Sequence, residues 1–129
     1  MNKLYFAYGS NCANEEMQAR CPNATAIGIA VIEDYQLKTY MHSTVEPTKG
    51  KTTQGVVWLI TDEDEFQLDL YEGYPRYYNK TTVNTEYGEA LMYIMADDHC
   101  YGEPSDSYSK RVLSAYKAWN IPAEQYIAS

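Results

Sequence analysis

The octapeptide Ala24-Thr25-Ala26-Ile27-Gly28-Ile29-Ala30-Val31 alternates bulky β-branched residues with alanine and glycine. Successive side chains of a strand point to opposite faces, so this period of two predicts a strand with one bulky face and one small face. A tightly curved sheet or a barrel can use such a pattern. Towards the N-terminus, Lys3 to Tyr8 reads as a short buried strand that runs into the turn-forming cluster Tyr8-Gly9-Ser10-Asn11. A brief helix from Ala13 to Arg20 follows, with Met17 and Cys21 at i, i+4 spacing and Pro22 closing it.

Towards the C-terminus, Glu33-Asp34 is expected to turn the chain into a second strand through Leu37 and Tyr40. The polar segment Ser43 to Thr53 reads as an exposed loop, and Gly55 to Ile60 as a further strand. Asp62 to Glu72 has the look of a helix, with Asp62 and Glu65 at capping-box spacing and Gly73 and Pro75 as its stop. Two strands, Tyr78 to Thr85 and Ala90 to Met95, join through Tyr87-Gly88-Glu89. Pro104 and Ser105 start a last helix, in which Tyr108, Val112, Ala115 or Tyr116, and Trp119 keep a 3.6-residue period. Strands outnumber helices and do not alternate with them, which disfavours a doubly wound parallel sheet. The expectation is an α+β fold: a small, mostly antiparallel closed β-barrel with two or three peripheral helices, one domain across residues 1–129.

Charge narrows the partners. Ten Lys and Arg against eighteen Asp and Glu leave a net charge of −8. Phosphate-backbone binding needs clustered cations, and the densest spots are only Lys49 with Lys51 and Lys110 with Arg111. Neither nucleic acid nor an anionic membrane surface is an expected partner. The longest apolar stretch, Ala26 to Ile32, is too short to span a bilayer. No leader-like stretch opens the chain, and Cys12, Cys21 and Cys100 form no C-x-x-C pair, so free thiols in a reducing cytoplasm are expected. The 14 tyrosines against 2 Phe and 2 Trp suit a strand-rich fold whose pocket is both apolar and polar.

Metal chemistry finds little support, since His42 and His99 are isolated, and neighbours such as His99 and Cys100 on a strand point to opposite faces. Gly9-Ser10-Asn11 is not the G-x-S-x-G nucleophile elbow, and Cys12 and Cys21 read as small buried hydrophobes. The turn at Gly9 says more. A loop that leaves a strand and opens a helix offers unpaired backbone N–H groups to an anion, and Ser10 and Asn11 add side-chain donors. A routine tight turn explains the same residues. Glu72 sits at the expected C-terminus of its helix, among Leu68, Leu70, Tyr71 and Tyr74. Desolvation and the helix dipole both raise a carboxyl pKa there, which makes a proton shuttle near neutrality. A solvated last-turn glutamate is the plainer alternative. Tyr77 and Tyr78 are either phenolic donors nearby or strand packing.

Taken together, Leu4-Tyr5-Phe6-Ala7-Tyr8-Gly9-Ser10-Asn11, Met17-x-x-Arg20-Cys21-Pro22, Gly55-Val56-Val57-Trp58, Leu68-Asp69-x-x-Glu72-Gly73 with Tyr78, and Pro104-Ser105-x-x-Tyr108 resemble the γ-glutamylcyclotransferase family. The matches are collinear and cover almost the whole chain. The resemblance implies a small α+β domain around a closed barrel and a reaction without metal or cofactor. In that reaction the α-amino group of a γ-glutamyl amide attacks its own γ-carbonyl, giving 5-oxoproline and a free amine. It places Glu72 at the catalytic glutamate, Tyr8, Gly9, Ser10 and Asn11 in the substrate-holding loop, Tyr78 at a substrate-binding tyrosine and Tyr108 on the pocket wall. Cys12 stands where such loops often carry leucine. Relatives of this kind act on γ-glutamyl amino acids, γ-glutamyl amines or γ-glutamyl protecting groups, and the Tyr-Gly-Ser-Asn form leans towards amino acids. The segment Ser43 to Thr53 is expected on the leaving-group side. Two other classes are a non-catalytic small-ligand binding module on the same scaffold and a hydrolase using Ser10 or Cys12. The chain is expected to be a monomer or a homodimer.

Overall fold

The computed structural model describes residues 2–96 and 102–129, so His99 and Cys100 lie outside the described residues. The chain opens with β1 (Lys3–Ala7), a single 3-10 turn (Ser10–Cys12) and α1 (Asn14–Arg20). Two long strands follow, β2 (Thr25–Thr39) and β3 (Ser43–Ile60), then α2 (Asp62–Glu72). The hairpin β4 (Tyr78–Thr85) and β5 (Gly88–Met95) precedes α3 (Asp106–Trp119) and a short α4 (Ala123–Ile127), which the sequence pattern did not suggest.

The strands form one five-stranded sheet in the order β2-β3-β1-β5-β4. The sheet is mixed, because β1 runs parallel to β5 and antiparallel to β3. It is not the closed barrel expected from the sequence: β2 and β4 are its edges. The gap is bridged by side chains rather than by a backbone ladder. Tyr87 in the β4–β5 turn donates its hydroxyl to the Ile29 carbonyl at 3.2 Å, and the Val31 N–H donates to Glu86 Oε1 at 3.3 Å. Gly28 makes room for this contact, since a Cβ there would stand 2.6 Å from Tyr87 Oη. Both β2 groups would otherwise be free donors and acceptors on an edge strand.

The alternation in β2 is present, but Ile27, Ile29 and Val31 face solvent while Ala26 packs against the core and Ala30 is buried within it. Glu33-Asp34 is not a turn. The strand runs on through a bulge at Asp34, whose φ of 66° is left-handed, and Asp34 Oδ1 accepts the Gly50 N–H at 3.0 Å. Asp tolerates that conformation because its short carboxylate bonds locally. The segment from Ser43 to Thr53 is likewise not an exposed loop. It is the first part of β3, laddered to β2 through pairs such as Leu37 with Val45, both buried. The pairing jumps from Glu33–Thr52 to Tyr35–Pro47, so only residues 48–51 stand clear.

On α2 the cap lies one residue earlier than the spacing suggested. Thr61 is the N-cap and Asp64 completes the capping box, with Asp64 N–H to Thr61 Oγ1 at 3.1 Å and Thr61 N–H to Asp64 Oδ2 at 3.0 Å. Glu65 is thereby released to receive Lys3 and Lys80. Gly73 ends the helix in a left-handed conformation, as expected. The core between sheet and helices is built on Phe6, Met17, Ile32, Val56, Val57, Leu68, Met92, Val112 and Tyr116, all fully buried.

Candidate active site

One cavity, of about 170 Å³, opens where the C-terminal end of β1 meets the last turn of α2 and the first turn of α3. Each residue that the family resemblance placed at the site borders it: Tyr8, Gly9, Ser10 and Asn11 from the loop after β1, Glu72 from α2, Tyr78 from β4 and Tyr108 from α3. Tyr77 is exposed and does not line it, which separates the adjacent tyrosines.

The loop is held from behind by α3. Tyr116 donates its hydroxyl to the Tyr8 carbonyl at 2.6 Å, and Trp119 donates its indole N–H to the Cys12 carbonyl at 2.7 Å. Within the loop the 3-10 turn uses the Gly9 and Ser10 carbonyls to accept from Cys12 and Ala13. The N–H groups at its start have no partner inside the turn and are left for other acceptors. Gly9 is needed for close approach, because a Cβ would meet Tyr108 Oη at 3.1 Å and Ser43 Cβ at 3.6 Å.

Phenols make up the walls, and the protein orients them. Tyr8 donates to the Tyr93 carbonyl at 2.6 Å, and Tyr78 donates to the Ser43 carbonyl at 2.8 Å. The Ser43 N–H in turn donates to Tyr108 Oη at 3.1 Å, so the backbone of a single residue ties Tyr78 to Tyr108. Tyr93 donates to Asp69 Oδ1 at 2.6 Å, one helical turn before Glu72. Burial holds Tyr78 and Tyr93 far above the ordinary phenol range and lifts Tyr108 to about 12. All three remain neutral donors or acceptors near pH 7.

Glu72 is the carboxylate of the cavity. Burial raises its pKa from 4.5 to about 7, and the positive charge of Arg20 opposes part of that rise. The source of the burial differs from the sequence expectation. Leu70 and Tyr74 are 63% and 41% exposed and point away. The residues that share the cavity with it are instead mostly from other elements, Tyr5, Tyr8, Tyr78 and Tyr108 among them. Sequence reasoning missed Tyr5, His42, Ser43, Tyr71 and Tyr93 as lining residues. Tyr71 was signalled by its place beside Glu72. Ser43 was obscured by the reading of its segment as a loop, and Tyr93 carried no signal apart from strand periodicity. Cys12 is fully buried, with its thiol pushed up to about 12 and donating to the Ala7 carbonyl at 3.2 Å, a poor nucleophile. Among the described residues no group of three or more His, Cys, Asp or Glu side chains is arranged to hold a metal ion, and no helix is long and apolar enough to cross a membrane.

Fold and pocket together define a class, a small α+β domain with one half-buried carboxylate in a phenol-walled cavity. The same architecture occurs in a solved structure titled gamma-glutamyl cyclotransferase, with a TM-score of 0.82 at 26% identity, covering 98% of this chain and 86% of that one. Residues 5–120 match the family described as gamma-glutamyl cyclotransferase, AIG2-like, and the chain belongs to that family. Proteins named gamma-glutamylcyclotransferase from Bos taurus and Homo sapiens are each 28% identical to it, over 94% of this chain and 73% of their own length.

Proposed function

We propose that the protein is a cyclotransferase that closes the γ-glutamyl group of a γ-glutamyl amino acid or amine to 5-oxoproline, with Glu72 as the proton relay. The observation that carries this reading is the placement of a carboxyl with a pKa of about 7 in the cavity bounded by the Tyr8–Asn11 loop. Membership of the family and the names of its relatives support it.

The chemistry follows from the geometry. Folding the glutamyl chain so that its α-nitrogen faces its own γ-carbonyl makes the attack intramolecular, which supplies much of the acceleration. Glu72, ionised, takes a proton from the α-ammonium. The amine then forms the new C–N bond and pushes the carbonyl electrons onto oxygen. As the oxyanion collapses, the bond to the departing nitrogen breaks and Glu72 returns the proton to that nitrogen; the ring nitrogen sheds its second proton, which the released amine carries away as its ammonium. Neutral phenols and loop N–H groups stabilise charge without competing for the proton. The turn at Gly9 serves either the oxyanion or the α-carboxylate, and Tyr78 and Tyr108 shape the remaining wall. The reaction is a carbon–nitrogen lyase step, balanced without a second substrate. Cys12 and Cys21 are free, buried thiols, which fits the cytoplasm as the working compartment.

The test is 5-oxoproline release from a panel of γ-glutamyl amino acids and γ-glutamyl amines, comparing wild type with Glu72→Gln. Product from the wild type and a loss of about a thousandfold or more in the variant is the expected result. Equal turnover by both proteins refutes the role of Glu72, and the panel ranks the leaving groups.

A further inference from the structure

Arg20 ends α1 and contacts two residues that line the cavity, Asn11 and Tyr71. Its Nη1 donates to Asn11 Oδ1 at 2.7 Å, and its Cζ lies 3.4 Å from the centroid of the Tyr71 ring. Glu16, one turn back, holds Nη2 at 3.4 Å and is itself paired with Arg111 of α3 at 2.6 Å. The guanidinium therefore has an amide oxygen, a carboxylate and a ring face as partners at once. A flat fork of five N–H donors can do this, whereas a point-charge ammonium cannot. With Arg20 on its oxygen, Asn11 must turn its Nδ2 towards Tyr5 Oη, which it meets at 3.0 Å. Losing Arg20 frees the Asn11 amide to rotate and releases Tyr71 from the rim beside Glu72.

We propose that Arg20 is the positioning residue of this cavity, a clamp that joins the substrate-holding loop to the C-terminal turn of α2. The role rests on the cyclotransferase reading given above. The same guanidinium contributes a second effect. Groups lining the cavity with Glu72 are Tyr5 of β1, Tyr8 of the loop after it, Tyr78 of β4, Tyr93 of β5 and Tyr108 of α3, with Tyr71 and His42 at the rim. Burial keeps Tyr5, Tyr8, Tyr78, Tyr93 and Tyr108 neutral, and burial and Arg111 lower the His42 pKa. Among the described residues, Arg20 is the cation whose charge acts on Glu72. It holds the carboxyl pKa below the value that burial alone would give, favouring the ionised form.

Two substitutions separate the clamp from the charge. Arg20→Lys keeps the charge and loses the three-way contact, while Arg20→Gln loses both. Arg20→Lys is expected to raise KM by about tenfold and keep the acidic limb of the kcat/KM profile near its wild-type position. Arg20→Gln is expected to raise KM similarly and move that limb upward by about half a unit or more. Wild-type KM and an unmoved limb in both variants overturn the proposal. If Arg20→Gln fails to fold, Tyr71→Leu takes its place and is expected to reproduce the rise in KM; an unchanged KM overturns the clamp. Failure of the cyclotransferase reading is distinguishable, because wild type would then release no 5-oxoproline from any panel member. In that case a ¹³C titration of the Glu72 carboxyl in wild type and Arg20→Gln decides the matter without turnover. An upward shift supports Arg20, and coincident curves overturn it.

Discussion

At the scale of single residues, Glu72 links the proposed chemistry to stability. Its carboxyl is harder to ionise in the fold than in the unfolded chain, with a pKa raised from 4.5 to about 7. Between those values the folded state binds more protons than the unfolded state, so stability falls as pH rises through the window. The full loss above pH 7 amounts to at most about 3 kcal/mol. Glu72→Gln removes this titration. The variant is expected to be more stable than wild type near about pH 8, with the gap closing below about pH 4.5, as urea unfolding across pH will show. A second expectation concerns Gly9, where a methyl group would press on Tyr108 Oη at 3.1 Å and disturb the Ser43 N–H bond to that oxygen. Gly9→Ala should cost about 1 kcal/mol in stability but about tenfold or more in kcat/KM, read from a thermal melt beside steady-state kinetics.

At the scale of elements, the site depends on β1 and β3 meeting closely. Gly55 pairs with Ala30 of β2 while its Cα faces β1, and a Cβ there would collide with the Ala7 carbonyl oxygen and stand 2.7 Å from Phe6 Cζ. Phe6 is fully buried and the carbonyl belongs to the backbone, so neither can yield cheaply. Gly55→Ala is expected to destabilise the protein by more than about 2 kcal/mol in chemical denaturation and to displace the loop that β1 feeds. Helix α2 is anchored differently. Its capping box fixes the start, and Lys80 bridging Glu65 at 2.9 Å and Asp69 at 3.0 Å fixes the inner face against β4. With Tyr93 on the other oxygen of Asp69, the last turn is held in the rotation that aims Glu72 inward.

At the scale of the whole molecule, the sheet stops short of closure and seals the gap with Tyr87 and Glu86. That arrangement predicts where the molecule opens first. Glu86→Ala removes the acceptor of the Val31 N–H, and hydrogen exchange at that amide should accelerate while the amides of Phe6 and Val57 in the central strands keep their rates. Equal acceleration in the centre would mean that the contact supports the entire sheet rather than its edge.

Much of this was legible from local signals. Periodicity marked the helices and most strands, Gly73 marked the end of α2, and the turn at Gly9 and the carboxylate at Glu72 stood out because their residue types are chemically unusual at those places. The bulge at Asp34 was not legible, because Glu33-Asp34 is a good turn pair and only the β2–β3 ladder makes a left-handed aspartate the better solution. The polar segment before Thr53 misled for the same reason: its backbone bonds come from a partner strand, which composition does not reveal. The sequence by itself determined α1 to α3, the β1 and β4–β5 strands, the α+β class and which residue types could carry chemistry. The tertiary structure decided the open sheet and the set of phenols that share the cavity with Glu72, since both depend on contacts between segments far apart in the chain.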